Sequence, residues 1–156
     1  MLHCGLHAVN ALLNSVRLPP YHHTDLDAIT AHVHAREREL CPDGTDTVPQ
    51  AAGNYPLETL LVALRRQGLR GEFEKPPPRA RRFTIIPRTV VGFLLGTGDH
   101  YLAVTRGSGS EHWRLVDNGR VVDTDPRSPY ALIARMSVPP RVVLHVVMKQ
   151  KSRPWR

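Results

Sequence analysis

Apolar residues recur at helical spacing as far as Leu64 and at strand spacing after Leu69, and this switch of period constrains the fold more than any other feature. Leu6, Val9, Leu13 and Val16 lie at i, i+3, i+7 and i+10, which predicts an amphipathic helix closed by Pro19 and Pro20. Thr24 with Asp27 resembles a capping box, and Leu26, Ile29 and Val33 continue a second helix that ends before Pro42. In a third, Pro56 suits the first helical position, Leu57, Leu60, Leu61 and Leu64 form one stripe, and Gly68 suits the C-terminal cap. Beyond it, β-branched segments broken by Gly and Pro predict strands at 70–74, 83–86, 90–95, 100–106, 111–117, 120–123 and 141–149, with a short helix near 128–136. Helices first and strands later imply an α+β domain, with N-terminal helices packed on a central antiparallel sheet.

A chain of 156 residues can enclose one hydrophobic core, so residues 1–150 read as one domain and 151–156 as a basic tail. The 21 Lys and Arg against 14 Asp and Glu give a net charge of +7, which invites an acidic partner. The basic residues are nevertheless scattered, with no aromatic interleaving beyond Phe83 and Trp155, so no nucleic-acid partner is expected. The longest apolar runs, Val90 to Leu95 and Val142 to Met148, are strand-sized, so no membrane span is expected either. Cys4 and Cys41 cannot build a disulfide framework, and no stretch suits a signal peptide, which points to an intracellular setting, cytoplasmic or nuclear. His22, His23, His32 and His34 with Cys41 lack zinc-ligand spacing, so no metal or other cofactor is expected.

Chemistry first enters through a hairpin. DHYLAVTRGSGSEHWRLVDNG carries two strand patterns around GSGS. Whether Gly107 faces Ser110 or Arg106 faces Glu111, the register puts His100 opposite Asp117, Leu102 opposite Leu115 and Val104 opposite Trp113, all on one face. Directly opposed Cβ atoms lie roughly 4.5–5.5 Å apart, close enough for an imidazole to meet a carboxylate. An odd-length loop or a bulge would bring Asn118 into play instead. An exposed ion pair across the strands is the plainer alternative.

Such a pair becomes catalytic only with a nucleophile, and Cys4 is the candidate. A thiol at a helix N-terminus meets the positive end of the macrodipole and unpaired N–H groups, both of which favour a thiolate. Gly5 allows close approach of the backbone around the sulfur. The plainer alternative is a small buried hydrophobe.

These residues carry a resemblance. LHCGLHAVNALL at 2–13 resembles the Cys-x-x-His-x-x-Asn-x-Leu/Val-Leu signature that opens the Josephin domain, and GNYPLETLLVALRRQGL at 53–69 resembles that family's later helix. GDHYLAVTR at 98–106, WRLVDN at 113–118 and RVVLHVVMK at 141–149 are similar to its His-bearing strand, the following strand and the last strand. The likeness runs along the whole chain in order and is closest to the small proteins made of little besides a Josephin domain. It implies a papain-like cysteine protease fold, ubiquitin or ubiquitin conjugates as partner, and hydrolysis at the ubiquitin C-terminus through Cys4, His100 and Asp117.

The same resemblance brings a departure. Family members carry a glutamine about five residues before the cysteine that donates to the oxyanion hole, a position that would precede Met1, so a truncated or late-started chain of weakened activity is expected unless the donor comes from elsewhere. His7 and Asn10 belong to the signature and are expected to buttress the site or satisfy core hydrogen bonds, with Asn118 as a further supporting residue. Residues 24–52 are a candidate arm for gripping ubiquitin, where the family places a mobile helical segment. A Josephin-like module that binds ubiquitin without cleaving it is the rival expectation. A protease acting on a polyprotein, or an acyl transferase, shares the same triad chemistry.

Overall fold

The structure of the protein, a computed structural model, describes residues 3–41, 54–74, 86–107 and 112–148. In chain order its elements are α1 (Cys4–Ser15), α2 (His23–Leu40), α3 (Leu57–Arg66), β1 (Leu69–Phe73), β2 (Val90–Gly96), β3 (Tyr101–Arg106), β4 (Trp113–Asp117), β5 (Arg120–Asp125), α4 (Pro129–Ala134) and β6 (Val142–Met148). The strands form one sheet in the order β1-β6-β2-β3-β4-β5, antiparallel throughout, so the α+β class and the antiparallel sheet are as expected. None of the helices described is long and apolar enough to cross a membrane.

Two cores lie against the sheet. In one, Val9, Leu12 and Leu13 of α1, Leu26 and Ile29 of α2, and Leu60 and Leu64 of α3 pack with Leu94, Ala103 and Val146. In the other, Phe93, Leu102, Val104, Trp113 and Leu115 meet Leu132 and Ile133 of α4. Burial of each such side chain contributes on the order of 1.5–3 kcal/mol. β2 is buried along its whole length, which is why VVGFLLG reads as a continuous apolar run. At Gly92 a Cβ would stand 2.3 Å from the Val104 carbonyl oxygen of β3, so the β2–β3 pairing here requires a glycine, and a Leu12 methyl of α1 packs over it at 2.8 Å.

Several boundaries differ from expectation for local reasons. α1 stops at Ser15, ahead of the two prolines, because Arg17 takes a left-handed backbone (φ 58) and the Leu18 N–H returns to the Leu13 carbonyl at 2.9 Å. α2 is capped two residues earlier than Thr24: the Asp25 carboxylate accepts from the His22 N–H at 2.8 Å. Asp27 instead accepts from the Tyr55 hydroxyl at 2.9 Å, and burial with this bond pushes the phenol up to about 12. Pro56 sits one place before α3, and Gly68 terminates it with φ 78. Of the strand expected at 83–86, only Ile86 is described; it lies outside any strand and its carbonyl accepts from Arg106 Nη2 at 3.2 Å. The expected basic tail, like residues 42–52 of the expected ubiquitin-gripping arm, lies outside the described residues.

The hairpin register needs correction. Arg106 pairs with Trp113, Val104 with Leu115 and Ala103 with Val116, a slide of two residues from the expected pairing. The cause lies at the hairpin mouth, where the Gly107 N–H donates to the His112 carbonyl at 3.0 Å and leaves 108–111, not GSGS, to connect the strands. The slide sets the Arg106 guanidinium 4.6 Å from the buried Trp113 ring centroid, a cation–π contact worth about 0.5–2 kcal/mol. Because the slide is even, Leu102, Val104, Trp113 and Leu115 keep their common face.

Candidate active site

Cys4 is the first residue of α1 and is 3% exposed. His3 before it takes a left-handed backbone (φ 73), no side chain caps the helix, and its first turn holds no acidic residue. The thiol thus sits where the helix presents unpaired N–H groups and positive potential. The expected role of Gly5 changes: a Cβ there would lie 3.0 Å from a Leu60 methyl, so its bareness seats α1 on α3.

The β2–β3 turn delivers His100. The Thr97 N–H donates to the His100 carbonyl at 2.9 Å, and Gly98 between them has φ 99, a backbone that suits glycine at a two-residue turn. In this turn the Asp99 carbonyl accepts from the Cys4 thiol at 3.9 Å. The nucleophile candidate therefore rests against the residue next to His100, with no hydrogen bond to the imidazole among the described residues.

Asp117 arrives from the end of β4. Its Oδ1 lies 2.7 Å from His100 Nε2, and the two side chains are 21% and 32% exposed for His and Asp respectively. A carboxylate on Nε2 selects the tautomer with its proton there and leaves the Nδ1 lone pair as base. Extending the observed register puts Asp117 across from Leu102, so the expected pair forms as diagonal neighbours two residues out of step.

The supporting residues separate. Asn10 brackets the backbone of Tyr21, donating to its carbonyl at 2.9 Å and accepting from its N–H at 2.8 Å, a structural role. His7 is exposed and has no hydrogen bond to the thiol among the described residues; its Nδ1 lies 3.6 Å from where a Cβ on Gly119 would stand. Asn118 (φ 49) and Gly119 (φ 78) form the two-residue turn into β5, closed by the Asp117–Arg120 pair. Asn-Gly is the strongest short-range hairpin signal, and it could have joined β4 to β5 from sequence alone. Cys41 and His112 are exposed.

One neighbour of the thiol was missed. Tyr101 follows His100 in the chain; burial raises its phenol pKa, and charge on Cys4 adds to the rise. No known protein family matches the chain, and no curated protein matches it either. Chemically, the arrangement offers a thiol at a helix start, an imidazole whose free nitrogen is Nδ1, and a carboxylate that orients it.

Proposed function

We propose that the protein is a Josephin-type, papain-like cysteine protease that hydrolyses isopeptide or peptide bonds at the C-terminus of ubiquitin. The supporting observation is the seating of the Cys4 thiol against the residue next to His100, which is itself bonded to Asp117 at 2.7 Å. Transfer of the thiol proton, turned from the Asp99 carbonyl it is donated to, onto His100 Nδ1 generates the thiolate; such bonds often tighten only when substrate is bound. The sulfur attacks the carbonyl carbon of the terminal glycine, and the Cys4 N–H donates to the developing oxyanion. The C–N bond then breaks, the imidazolium delivers its proton to the departing lysine amine, and a thioester remains. Water attacks the thioester after losing a proton to His100, which releases the carboxylate and restores the thiol. Asp117 holds the ring in one tautomer throughout.

A second reading is a ubiquitin-binding module of the same fold that does not cleave. In its favour, Cys4 is nearly buried and donates to a backbone carbonyl instead of to the imidazole. Ubiquitin bearing a C-terminal thiol-reactive warhead separates the two. A covalent adduct, lost in Cys4→Ala, supports the protease; complex formation without an adduct supports the module.

A further inference from the structure

α1 covers only part of the sheet. Between its outer face and the β4–β5 hairpin runs a groove of about 300 Å3, lined by His7 and Asn14 of α1, Arg114 and Val116 of β4, and Gly119 and Val121 beyond. Cys4, His100 and Asp117 do not line it themselves, but two of its lining residues follow them closely in the chain: Gly119 is two residues past Asp117, and His7 is one helical turn past Cys4. Val121 pairs with Val116, is 51% exposed, and supplies part of an apolar floor. Arg114 is exposed and has no ion-pair partner among the described residues. Among the described residues no carboxylate lines the groove, and Arg106 and Arg114 give that lining a positive charge.

We infer that this groove is the leaving-group subsite of the proposed hydrolase, and that it takes an acidic peptide segment flanking the scissile lysine. The inference rests on that proposed function. An acid that protonates the departing amine must stand beside it, so the leaving chain passes over His100. The residue His100 leans on is Asp117, and the turn that follows Asp117 borders the groove. A carboxylate on that chain meets Arg114, while an adjoining small apolar side chain rests on Val116 and Val121.

Three ubiquitin substrates test it: a C-terminal aminocoumarin amide, which has no leaving peptide, and isopeptides to a lysine flanked by either Glu or Lys. Expected at low salt is a kcat/KM about tenfold higher for the Glu-flanked than for the Lys-flanked conjugate. Arg114→Glu should abolish or invert that preference and leave the coumarin rate within about twofold, since no leaving chain engages the groove there. Coumarin cleavage with no preference, or with a preference that survives Arg114→Glu, overturns the subsite and leaves the hydrolase standing. Failure to cleave the coumarin substrate, with no warhead adduct, sinks the hydrolase. In that event the Val116 and Val121 methyl NMR signals report on the free Glu-flanked peptide: shifts abolished by Arg114→Glu retain the groove as an acidic-peptide site, and no shifts overturn it.

Discussion

His100 and Asp117 meet at 2.7 Å as diagonal neighbours across β3 and β4, not as a directly opposed pair. Longer reach costs each side chain some rotamer freedom, so the bond defines the ring's orientation only as well as the β4–β5 turn holds Asp117. The Asn118–Gly119 turn is therefore part of what positions the imidazole.

Removing the carboxylate should test that dependence. Asp117→Ala is expected to lower kcat on a ubiquitin aminocoumarin substrate by roughly a hundredfold or more, the range of a lost acid–base contribution. Asp117→Asn keeps an acceptor oxygen for the Nε2 proton and should retain more activity than Asp117→Ala. Equal losses would contradict an orienting role.

Gly119→Ala addresses the turn itself. Only His7 Nδ1, at 3.6 Å, lies near the added methyl, so the cost is that of a left-handed backbone (φ 78), about 1–2 kcal/mol by urea unfolding. Gly92→Ala should cost more, about 3 kcal/mol or greater, because its Cβ would overlap the Val104 carbonyl oxygen.

Asn10→Ala separates structure from chemistry within the signature. Two hydrogen bonds to the Tyr21 backbone are lost, for a destabilisation of about 1–3 kcal/mol. At temperatures where the variant is folded, kcat should match the parent. A selective loss of kcat would instead put Asn10 in the catalytic machinery.

Acid sensitivity should trace partly to Arg135, which donates to Asp123 through Nε and Nη2 and to Asp125 through Nη1. Arg135 holds the Asp123 carboxyl below its ordinary 3.8, and the Arg127 and Ser128 amides, then Arg135, do so for Asp125. Carboxyls depressed in the folded state stabilise it above their unfolded values, and that contribution is lost as pH falls through the folded ones. Arg135→Ala should therefore flatten the fall in urea midpoint below about pH 4. An unchanged acid limb would show that other groups control it.

Much was legible in sequence because periodicity is local. The stripes of α1 and α3 and the alternation of β3 and β4 follow from where successive Cβ atoms point, and the expected strands that fall within the described residues as strands lie within two residues of their predicted ends. Helix starts were less legible: Asp25 and Asp27 are equally plausible caps by spacing, and only the Tyr55 hydroxyl, 28 residues away, shows why Asp27 is otherwise engaged.

The sequence by itself determined that His100 and Asp117 share a face, since an even slide of the hairpin leaves side-chain parity intact. Tertiary structure decided the rest of the site. Register was set by the Gly107–His112 closure and the Arg106–Trp113 contact, and the thiol's position by the packing of α1 on the sheet. Bringing Cys4 to Asp99 spans 95 residues, and no local pattern encodes that approach; it results from burying α1 on β3.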